Sequence, residues 1–425
     1  MNANIPHTSQ KRVVIVGAGF AGLALANELK NTDFQIVMID RENYHQFQPL
    51  IYQVATSGLE PSAIAFPVRK NFQSASNFHF RLCDLQQVES DKQRIVTSIG
   101  VIDYDYLVIA TGTTTNFYGM ERIENAALPM KTVSEAIALR NHILRTLERA
   151  TVEPNNQALR TIVVVGGGAT GVEIAGAIAD MRRYVIDKDY PELRHTPLNI
   201  MLIESSAKVL GTMHENSSKK ALAALTSMGV QVHTNCTVSD YIDGQVVMHD
   251  GTKIATSTLI WVSGVRVSPI PGLDPSLYAR SGRIKVDQYN QISGTGGVFV
   301  LGDAALASDE NLPTGHPQVA PVAIAQARNL AHNIQNMTHH RTLTPFVYHS
   351  KGSMATIGRG QAVVDIGPWH WAGFTAWVTW LLVHLLSILG TRNKIQTFFT
   401  WFWNYITFDQ SLRLIIKPAT KRKTH

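Results

Sequence analysis

The stretch between Arg12 and Asp40 constrains the fold of this chain more than any other segment. A β-branched apolar run is followed by a glycine turn, and the turn leads into residues with helical spacing. A second apolar run then ends on Asp40. The turn reads Gly17-Ala18-Gly19-Phe20-Ala21-Gly22, which places the G-x-G-x-x-G spacing in its full context of strand, turn, helix and strand-end acid. The segment is therefore predicted to bind a dinucleotide.

Each residue of this pattern has a physical reason to be there. Gly17 permits a tight turn, Gly19 lets the backbone approach a pyrophosphate, and Gly22 lets the helix pack on the strand. The helix N-terminus faces the phosphate charge. Asp40 is expected to accept a hydrogen bond from a ribose hydroxyl.

A second unit of the same kind begins near residue 160. An apolar run leads into Gly166-Gly167-Gly168-Ala169-Thr170-Gly171, and a later run, residues 199–203, ends on Glu204. Glu204 lies 38 positions after Gly166, whereas the usual spacing is about 20. The excess is predicted to be a helical extension formed by the charged residues 182–196. Two such units predict an α/β protein with two Rossmann-like domains.

Composition excludes several other classes of protein. A length of 425 residues predicts two or three domains. Its two cysteines, Cys83 and Cys236, offer no disulfide framework, metal-type spacing or redox dithiol. The formal charge of +6 is too small to indicate a nucleic-acid partner. Residues 1–10 lack a signal pattern, so the catalytic part is predicted to be cytoplasmic.

Further segments carry candidate ligand-contacting residues. Residues 43–56 mix aromatic and amide side chains and are predicted to be an ordered loop over the first site. One buried strand is predicted to end at Ala110-Thr111-Gly112, and another at Gly302-Asp303-Ala304. The Asp303 carboxylate would there meet the ribityl or phosphate end of a cofactor. A helix is predicted over residues 320–335.

The C-terminal part indicates a membrane anchor. Residues 372–389 form an uncharged run of 18, just long enough for a marginal transmembrane helix, which takes about 20 apolar residues. The run contains His384 and three hydroxyl residues, and its tryptophans cluster at one end, as in interfacial segments. We predict a monotopic anchor rather than a span, with a buried dimer interface as the alternative. The basic residues expected to meet anionic headgroups are Arg392, Lys394, Arg413, Lys417, Lys421, Arg422 and Lys423.

With these motifs assembled, the chain resembles the type II NADH dehydrogenases, which are single-subunit NADH:quinone oxidoreductases. They belong to the two-dinucleotide-binding-domain flavoproteins that include glutathione reductase. The resemblance covers nearly the whole chain. It rests on the first fingerprint with Asp40-Arg41, residues 43–56, Ala110-Thr111-Gly112, the second fingerprint with Glu173, Trp261 to Gly264, Gly302-Asp303-Ala304, Lys351-Gly352 and the tryptophan-rich C-terminus.

The resemblance implies a glutathione-reductase-like division of the chain. The FAD-binding domain would comprise residues 1–115 and 285–345, the inserted NADH-binding domain residues 116–284, and the C-terminal anchoring domain residues 346–425. The implied FAD contacts are Gly17, Gly19, Gly22, Asp40, Gln48, Thr111, Gly112, Asp303 and Lys351. The implied NADH contacts are Gly166, Gly168, Gly171, Glu173, Glu204 and Gly264. The cofactor-binding set further includes Ala18, Phe20, Ala21, Arg41, Ala110, Thr170, Ser263, Gly302 and Ala320.

The resemblance also implies a reaction, and this reaction is predicted not to pump protons, because a single hydrophobic region offers no bundle of spans to form a conduction path. A hydride would pass from NADH to FAD, and two electrons would pass on to a respiratory membrane quinone. The implied catalytic residues are Glu173 as a proton relay, Lys351 near the flavin, and Gln326. Glu173 has an alternative interpretation as a helix N-terminal carboxylate stabilised by the dipole, and Gln326 as an ordinary helix-surface residue. The family's quinone-side helix has two adjacent glutamines, whereas this chain has Ala325 before Gln326.

Other flavoproteins remain as alternatives. A dithiol reductase or a sulfide:quinone oxidoreductase would need redox cysteines. A catalytically idle redox sensor or an apoptosis-factor-like binding protein would keep both cofactors without turning over quinone. The enzyme is predicted to hold FAD non-covalently and to prefer NADH, because Glu204 would repel the 2′-phosphate of NADPH. It is predicted to lie on the cytoplasmic face of the inner (cytoplasmic) membrane, and a homodimer is a candidate assembly.

Overall fold

The computed structural model describes residues 3–196, 198–309, 312–408 and 412–416, and the chain divides into two compact units. Unit 1 comprises Met1–Gln46, Phe66–Thr114 and Val265–Ser350. Unit 2 comprises Phe47–Ala65, Thr115–Gly264 and Lys351–His425. The boundary between the units at residue 114 lies beside the domain boundary expected at residue 115. The boundary at residue 264 lies 20 residues before the domain boundary expected at residue 284. The domain division given above stays a prediction.

The core of unit 1 is a five-stranded parallel sheet built on the first fingerprint. Its order is Val298–Val300, Tyr106–Ile109, Lys11–Val16, Phe34–Asp40, Phe78–Leu82. The strand that leads into the glycine turn is central, and its neighbours are reached by crossovers on either side. The turn therefore lies at the carboxyl end of the sheet, at the switch point where open α/β sheets bind ligands.

The remaining elements of unit 1 cover this sheet or extend it. The first fingerprint helix, Phe20–Leu29, packs against a longer helix, Ala320–Thr338. Unit 1 also contains a small antiparallel sheet and two short paired strands: Leu85–Glu89, Arg94–Thr97, Gly100–Asp103, Ile284–Lys285 and Ala305–Leu306. A further short strand and a short helix in this unit are Tyr44–Gln46 and Val68–Asn71.

Unit 2 repeats the architecture around the second fingerprint. Its parallel sheet has the order Leu128–Pro129, Thr258–Trp261, Thr161–Val165, Asn199–Ile203, Val230–His233. Its helices are Val133–Val152, the second fingerprint helix Ala169–Met181, and Glu215–Ser227. The longest of them begins with a capping box between Thr132 and Glu135. An antiparallel sheet adds Val238–Ile242, Gln245–Met248 and Lys253–Ala255.

The charged insert after the second fingerprint helix is helical, as predicted. It begins as a π-helix, Arg182–Ile186, and continues through the short turns Asp187–Asp189 and Pro191–Leu193. The expectation of a loop over residues 43–56 is wrong in its last part, because Ile51–Ala55 forms a short helix in unit 2. The apolar side chains of this helix are buried, and that burial stabilises a helix too short to be stable alone.

The C-terminal part of unit 2 is a three-stranded antiparallel sheet followed by two helices. The strands are Ser353–Gly358, Gln361–Ile366 and Trp369–Ala372, and the helices are Phe374–Ser387 and Thr391–Thr407. The uncharged run of 18 therefore contains a helix of 14 residues, which begins after Gly373, a glycine with positive φ, and ends before Ile388, whose backbone is extended. Among the described residues, none of the helices combines the length and apolarity needed to cross a membrane. The basic tail, Lys417, Lys421, Arg422 and Lys423, lies outside the described residues.

Candidate functional site

The first glycine turn has the shape that phosphate binding requires. Gly17 has φ +108°, and a Cβ there would lie 2.4 Å from the carbonyl oxygen of Ala110. A Cβ on Gly22 would lie 1.9 Å from the oxygen of Gly17. A Cβ on Gly19, the N-cap of the helix, would meet nothing within 4 Å. The turn is therefore tightly packed on two sides and open at the helix N-terminus, where a pyrophosphate fits.

The second turn in unit 2 repeats this geometry. Gly166 has φ +111°, and its Cβ would lie 2.9 Å from the backbone of Ser263. A Cβ on Gly171 would lie 1.7 Å from the oxygen of Gly166. Gly168, like Gly19, borders open space. Gly168 and Thr170 are exposed, so this helix N-terminus is also free to receive an anion.

The acid at the end of the second strand of each fingerprint accepts a hydrogen bond from the backbone of the glycine turn in the same fingerprint. Asp40 accepts a hydrogen bond of 2.6 Å from Ala18 N–H, and Glu204 accepts one of 2.5 Å from Gly167 N–H. Burial favours a higher pKa for Glu204, but hydrogen bonds from Ser206, Gly167 and Ser205 outweigh it and lower the pKa. Glu204 is therefore ionised at neutral pH, as a group that repels a 2′-phosphate must be.

The other unit 1 residues of the predicted set gather near the strand ends. Thr113 donates a 3.2 Å hydrogen bond to Asp303, which follows Gly302 in a 3₁₀ turn. Ala110 is buried, and Thr111 is exposed beside it. The remaining members of the set in this unit are Phe20, Ala21, Arg41, Gly112 and Ala320. Arg41 is exposed and lies 3.9 Å from Asp84.

Gln326 is not on the helix surface, so that alternative is wrong. Its side chain is 1% exposed. Its Oε1 accepts from Gly302 N–H at 2.7 Å, and its Nε2 donates to Asn290 at 2.9 Å. The amide therefore fixes the turn that carries Asp303. A contact between Gln326 and quinone stays a prediction.

Glu173 is buried on the second fingerprint helix, outside its first turn. Burial is the main reason that its pKa rises to about 8, and the hydrogen bond from Thr356 N–H opposes the rise. The indole of Trp380 also opposes it, although its Nε1 completes no hydrogen bond to a described residue. A carboxyl with this pKa is largely protonated at pH 7. The alternative of a helix N-terminal carboxylate stabilised by the dipole is wrong, because Glu173 lies beyond the first turn, where that effect is confined.

Two residues predicted to contact FAD belong to unit 2. Lys351 is exposed and lies two residues before the start of the strand Ser353–Gly358. Gln48 is exposed at the start of a 3₁₀ turn, Gln48–Leu50. Ser263 and Gly264 follow a buried strand in the same unit, and Gly264 has φ +89°. The contacts of these residues with a cofactor stay predictions.

Comparison with known proteins decides the family. The sequence profile of the pyridine nucleotide-disulphide oxidoreductases matches residues 11–327. The type II NADH:quinone oxidoreductase Ndh of Mycobacterium tuberculosis is 34% identical over 92% of this chain and 87% of its own length. This chain belongs to the type II NADH:quinone oxidoreductases.

Solved structures agree at the level of the fold. NDH2 of Plasmodium falciparum in complex with NADH has a TM-score of 0.88, with 19% identity over 96% of this chain and 100% of its own. The sulfide:quinone oxidoreductase of Aquifex aeolicus has a TM-score of 0.70, with 18% identity over 95% and 92% of the two chains. The resemblance inferred from the sequence is thus confirmed, and so is the predicted fold of the two dinucleotide-binding domains.

Sequence reasoning missed the residues around Glu173 in this type II NADH:quinone oxidoreductase. Tyr52 is buried, and its pKa lies well above its usual value, first because of burial and then because of the charge of Glu173. Trp380 is 1% exposed, stacks on His384 at 3.9 Å and packs edge-on against Tyr52. Helical periodicity could have identified Asp180, because it lies seven residues after Glu173 and this spacing puts both carboxyls on one face of the helix.

Proposed function

We propose that this protein oxidises NADH and reduces a membrane quinone, with FAD bound at the first fingerprint and NADH at the second. FAD, when bound, supplies hydride acceptance from NADH and two-electron transfer to the quinone. The observation that carries the assignment is the pair of matching glycine turns, each open at Gly19 or Gly168, in a chain of this family. Redox cysteines are not required for this reaction.

The protein's own groups bind and orient the two nucleotides. The open helix N-termini receive pyrophosphate, and Asp40 and Glu204 stand where ribose hydroxyls bind. Gln326 fixes the turn at Gly302 and Asp303, because its side-chain oxygen accepts a hydrogen bond from Gly302 N–H. Glu173, protonated at neutral pH, would hold the proton that a reduced quinone takes up.

Steady-state kinetics test this assignment directly. Purified protein should oxidise NADH with a short-chain quinone as the acceptor, whereas sulfide should give no quinone reduction. The yellow chromophore should leave the protein on acid precipitation, because the first fingerprint offers only backbone and carboxylate contacts. NADH oxidation that needs an added dithiol, and not quinone, would overturn the proposal.

We further propose that the two C-terminal helices dock on the membrane surface from the cytoplasmic side. Their exposed large apolar side chains repeat at helical spacing, which gives each helix an unburied apolar face. On the first helix these are Phe374, Val378, Leu382, Val383 and Leu386, and on the second Ile395, Phe398, Phe399, Phe402, Trp403 and Ile406. Arg392 is exposed at the start of the second helix, where it would meet anionic headgroups.

Vesicle flotation tests the docking face. The double variant Phe398→Ser/Phe402→Ser should float less with anionic vesicles than the wild type does, while its rate with a water-soluble quinone should be unchanged. Equal flotation would refute the proposal.

Protease shaving of sealed vesicles tests the side of the membrane on which the protein docks, because a monotopic anchor leaves a C-terminal tag accessible only from the cytoplasmic face. Proton uptake into sealed vesicles during turnover would refute the absence of pumping. The predicted homodimer stays a prediction.

A further inference from the structure

A pocket in unit 2 reaches the residues that surround Glu173. It encloses about 820 Å³, which includes solvent at its mouth. Its lining includes Tyr52, Thr356 and Trp380, all of which interact with Glu173 or with each other. Glu173 itself is 9% exposed. The pocket therefore brings solvent to the immediate neighbours of a carboxyl that solvent barely touches.

The same pocket is lined by a second carboxyl, Asp180. Seven residues separate Glu173 from Asp180 on one helix, which places them on the same face about 10.5 Å apart along the axis. Asp180 Oδ2 accepts a 2.7 Å hydrogen bond from Arg359 N–H. Thr356, whose N–H binds Glu173, lies three residues before Arg359. The two carboxyls thus bind successive parts of one β-hairpin.

The backbone beside Asp180 departs from a regular helix. The π-helix Arg182–Ile186 begins two residues later, and π-turns are frequent at functional sites. Gly358 adopts φ +123°, a conformation that favours glycine, and a Cβ there would lie 2.9 Å from Asp180 Oδ2, so the backbone of the hairpin turn closely approaches this carboxyl. These features hold the carboxyl of Asp180 at the pocket wall.

The proposed reaction consumes one proton from solvent in each turnover, since NADH, H⁺ and quinone give NAD⁺ and quinol. A buried Glu173 that gives its proton to the quinol oxygen must receive another before the next turnover. We propose that the pocket and Asp180 deliver this proton, from solvent water to the Asp180 carboxylate and from there to the Glu173 carboxylate. This inference rests on the proposed function.

The groups between the two carboxyls suit such a transfer. The hydroxyl of Tyr52 accepts a 2.8 Å hydrogen bond from Gln53, which leaves its own proton for a hydrogen bond along the path. The Nε1 of Trp380 completes no hydrogen bond to a described residue. The indole lies close enough to the Glu173 carboxyl to lower its pKa, so Trp380 stands at the Glu173 end of the path. A chain of water and hydroxyl groups can pass a proton over the distance involved.

The acidities run in the required direction. Burial raises the pKa of Asp180 to about 6, and the pKa of Glu173 to about 8, so a proton on Asp180 is the more readily released. Arg359 and Arg183 oppose the rise at Asp180. The other titratable groups that line this pocket are the hydroxyls of Tyr52, Tyr184 and Tyr405.

The test compares Asp180→Asn with the exposed control Asp187→Asn, both as FAD-loaded full-length protein. Flavin reduction by NADH, followed by stopped flow without oxygen, should match the wild type in both variants, because hydride transfer takes no solvent proton. Quinone reduction by Asp180→Asn should fall by about 10–100-fold at pH 8, with a smaller loss at pH 6 and a larger solvent deuterium isotope effect. Asp180→Glu should recover part of the rate, and added formate should partly rescue Asp180→Asn.

Two results would overturn the inference. One is an Asp180→Asn enzyme with wild-type quinone reduction, pH profile and isotope effect. The other is an equal loss of both half-reactions without pH dependence, which indicates a structural defect. Where Asp180→Asn does not retain FAD, Asp180→Ser, which leaves room for water, is measured by the same criteria. Failure of the wild type to reduce quinone would instead reject the proposed function.

Discussion

Replacing Glu173 by Gln should stabilise the protein at high pH. The pKa of this carboxyl rises from 4.5 to about 8 on folding, chiefly through burial. A carboxyl with a raised folded pKa is protonated more readily in the folded state, so its ionisation costs stability as the pH increases from 4.5 to 8. Each pKa unit corresponds to about 1.4 kcal/mol. The cost is therefore about 1 kcal/mol at pH 5 and about 5 kcal/mol at pH 9.

Glutamine reproduces the protonated carboxyl, because its carbonyl oxygen can accept from Thr356 N–H and its NH₂ group carries no charge. The difference in unfolding free energy between Glu173→Gln and the wild type should therefore shift by about 4 kcal/mol in favour of the variant between pH 5 and pH 9. A domain of 150–250 residues changes its Tm by about 2–4 °C per kcal/mol. The relative Tm should then shift by about 8 °C or more.

Differential scanning fluorimetry over this pH range measures the effect, and the control is the exposed Glu121→Gln. The control should differ from the wild type by the same small amount at every pH. A Glu173→Gln variant whose difference from the wild type is constant with pH, or moves the other way, would refute a carboxyl with a raised pKa. Any constant loss from imperfect packing of the amide does not affect the comparison.

Three further predictions follow from the second fingerprint and the C-terminal helices. Gly171→Ala should lose about 3 kcal/mol of stability, because its Cβ would overlap a carbonyl oxygen. The control Gly168→Ala, at a position that borders open space, should keep the wild-type Tm and lose affinity for NADH. Equal Tm values of the two variants would contradict the packing argument. Glu204→Ser should raise kcat/KM for NADPH roughly tenfold, equivalent to about 1.4 kcal/mol, and unchanged specificity would reject the charge-repulsion account. Trp401→Phe removes a 2.7 Å hydrogen bond to the side chain of Gln53 and should lower the unfolding free energy, measured with denaturant, by about 1 kcal/mol. The control Trp403→Phe, at an exposed position, should leave the unfolding free energy unchanged. Equal effects of the two substitutions would refute this prediction.

The fingerprints were predictable from sequence because their constraints are local. Gly17 and Gly22 face backbone atoms within their own turn or at the adjacent strand end, so only glycine fits whatever the rest of the chain does. The same holds for Gly166 and Gly171. Strand, turn, helix and acid all fall within one βαβ unit, and the spacing alone specifies them.

The environments of Gln326 and Glu173 were not predictable in this way. Gln326 is buried because its amide meets Gly302 and Asn290, which are distant in sequence. The pKa of Glu173 is raised because the folded chain buries its carboxyl, and the hairpin and the tryptophan beside it are distant in sequence. Periodicity identifies the face of a helix, but not the group that covers it. Segments with no period of their own, such as Ile51–Ala55, depend on the same tertiary packing.

The second C-terminal helix is fastened to the segment that carries Tyr52. Trp401 donates to Gln53, Asn404 donates to the oxygen of Gly58, and Asn393 donates to the oxygens of Ser62 and Ala65. Truncating the chain from Gly367 to obtain a water-soluble enzyme would therefore remove the exposed apolar side chains of the two C-terminal helices. It would also remove the hydrogen-bond partners of this segment and one wall of the pocket beside Glu173. A soluble form is better sought by replacing outward apolar side chains with polar ones, which leaves every one of these hydrogen bonds in place.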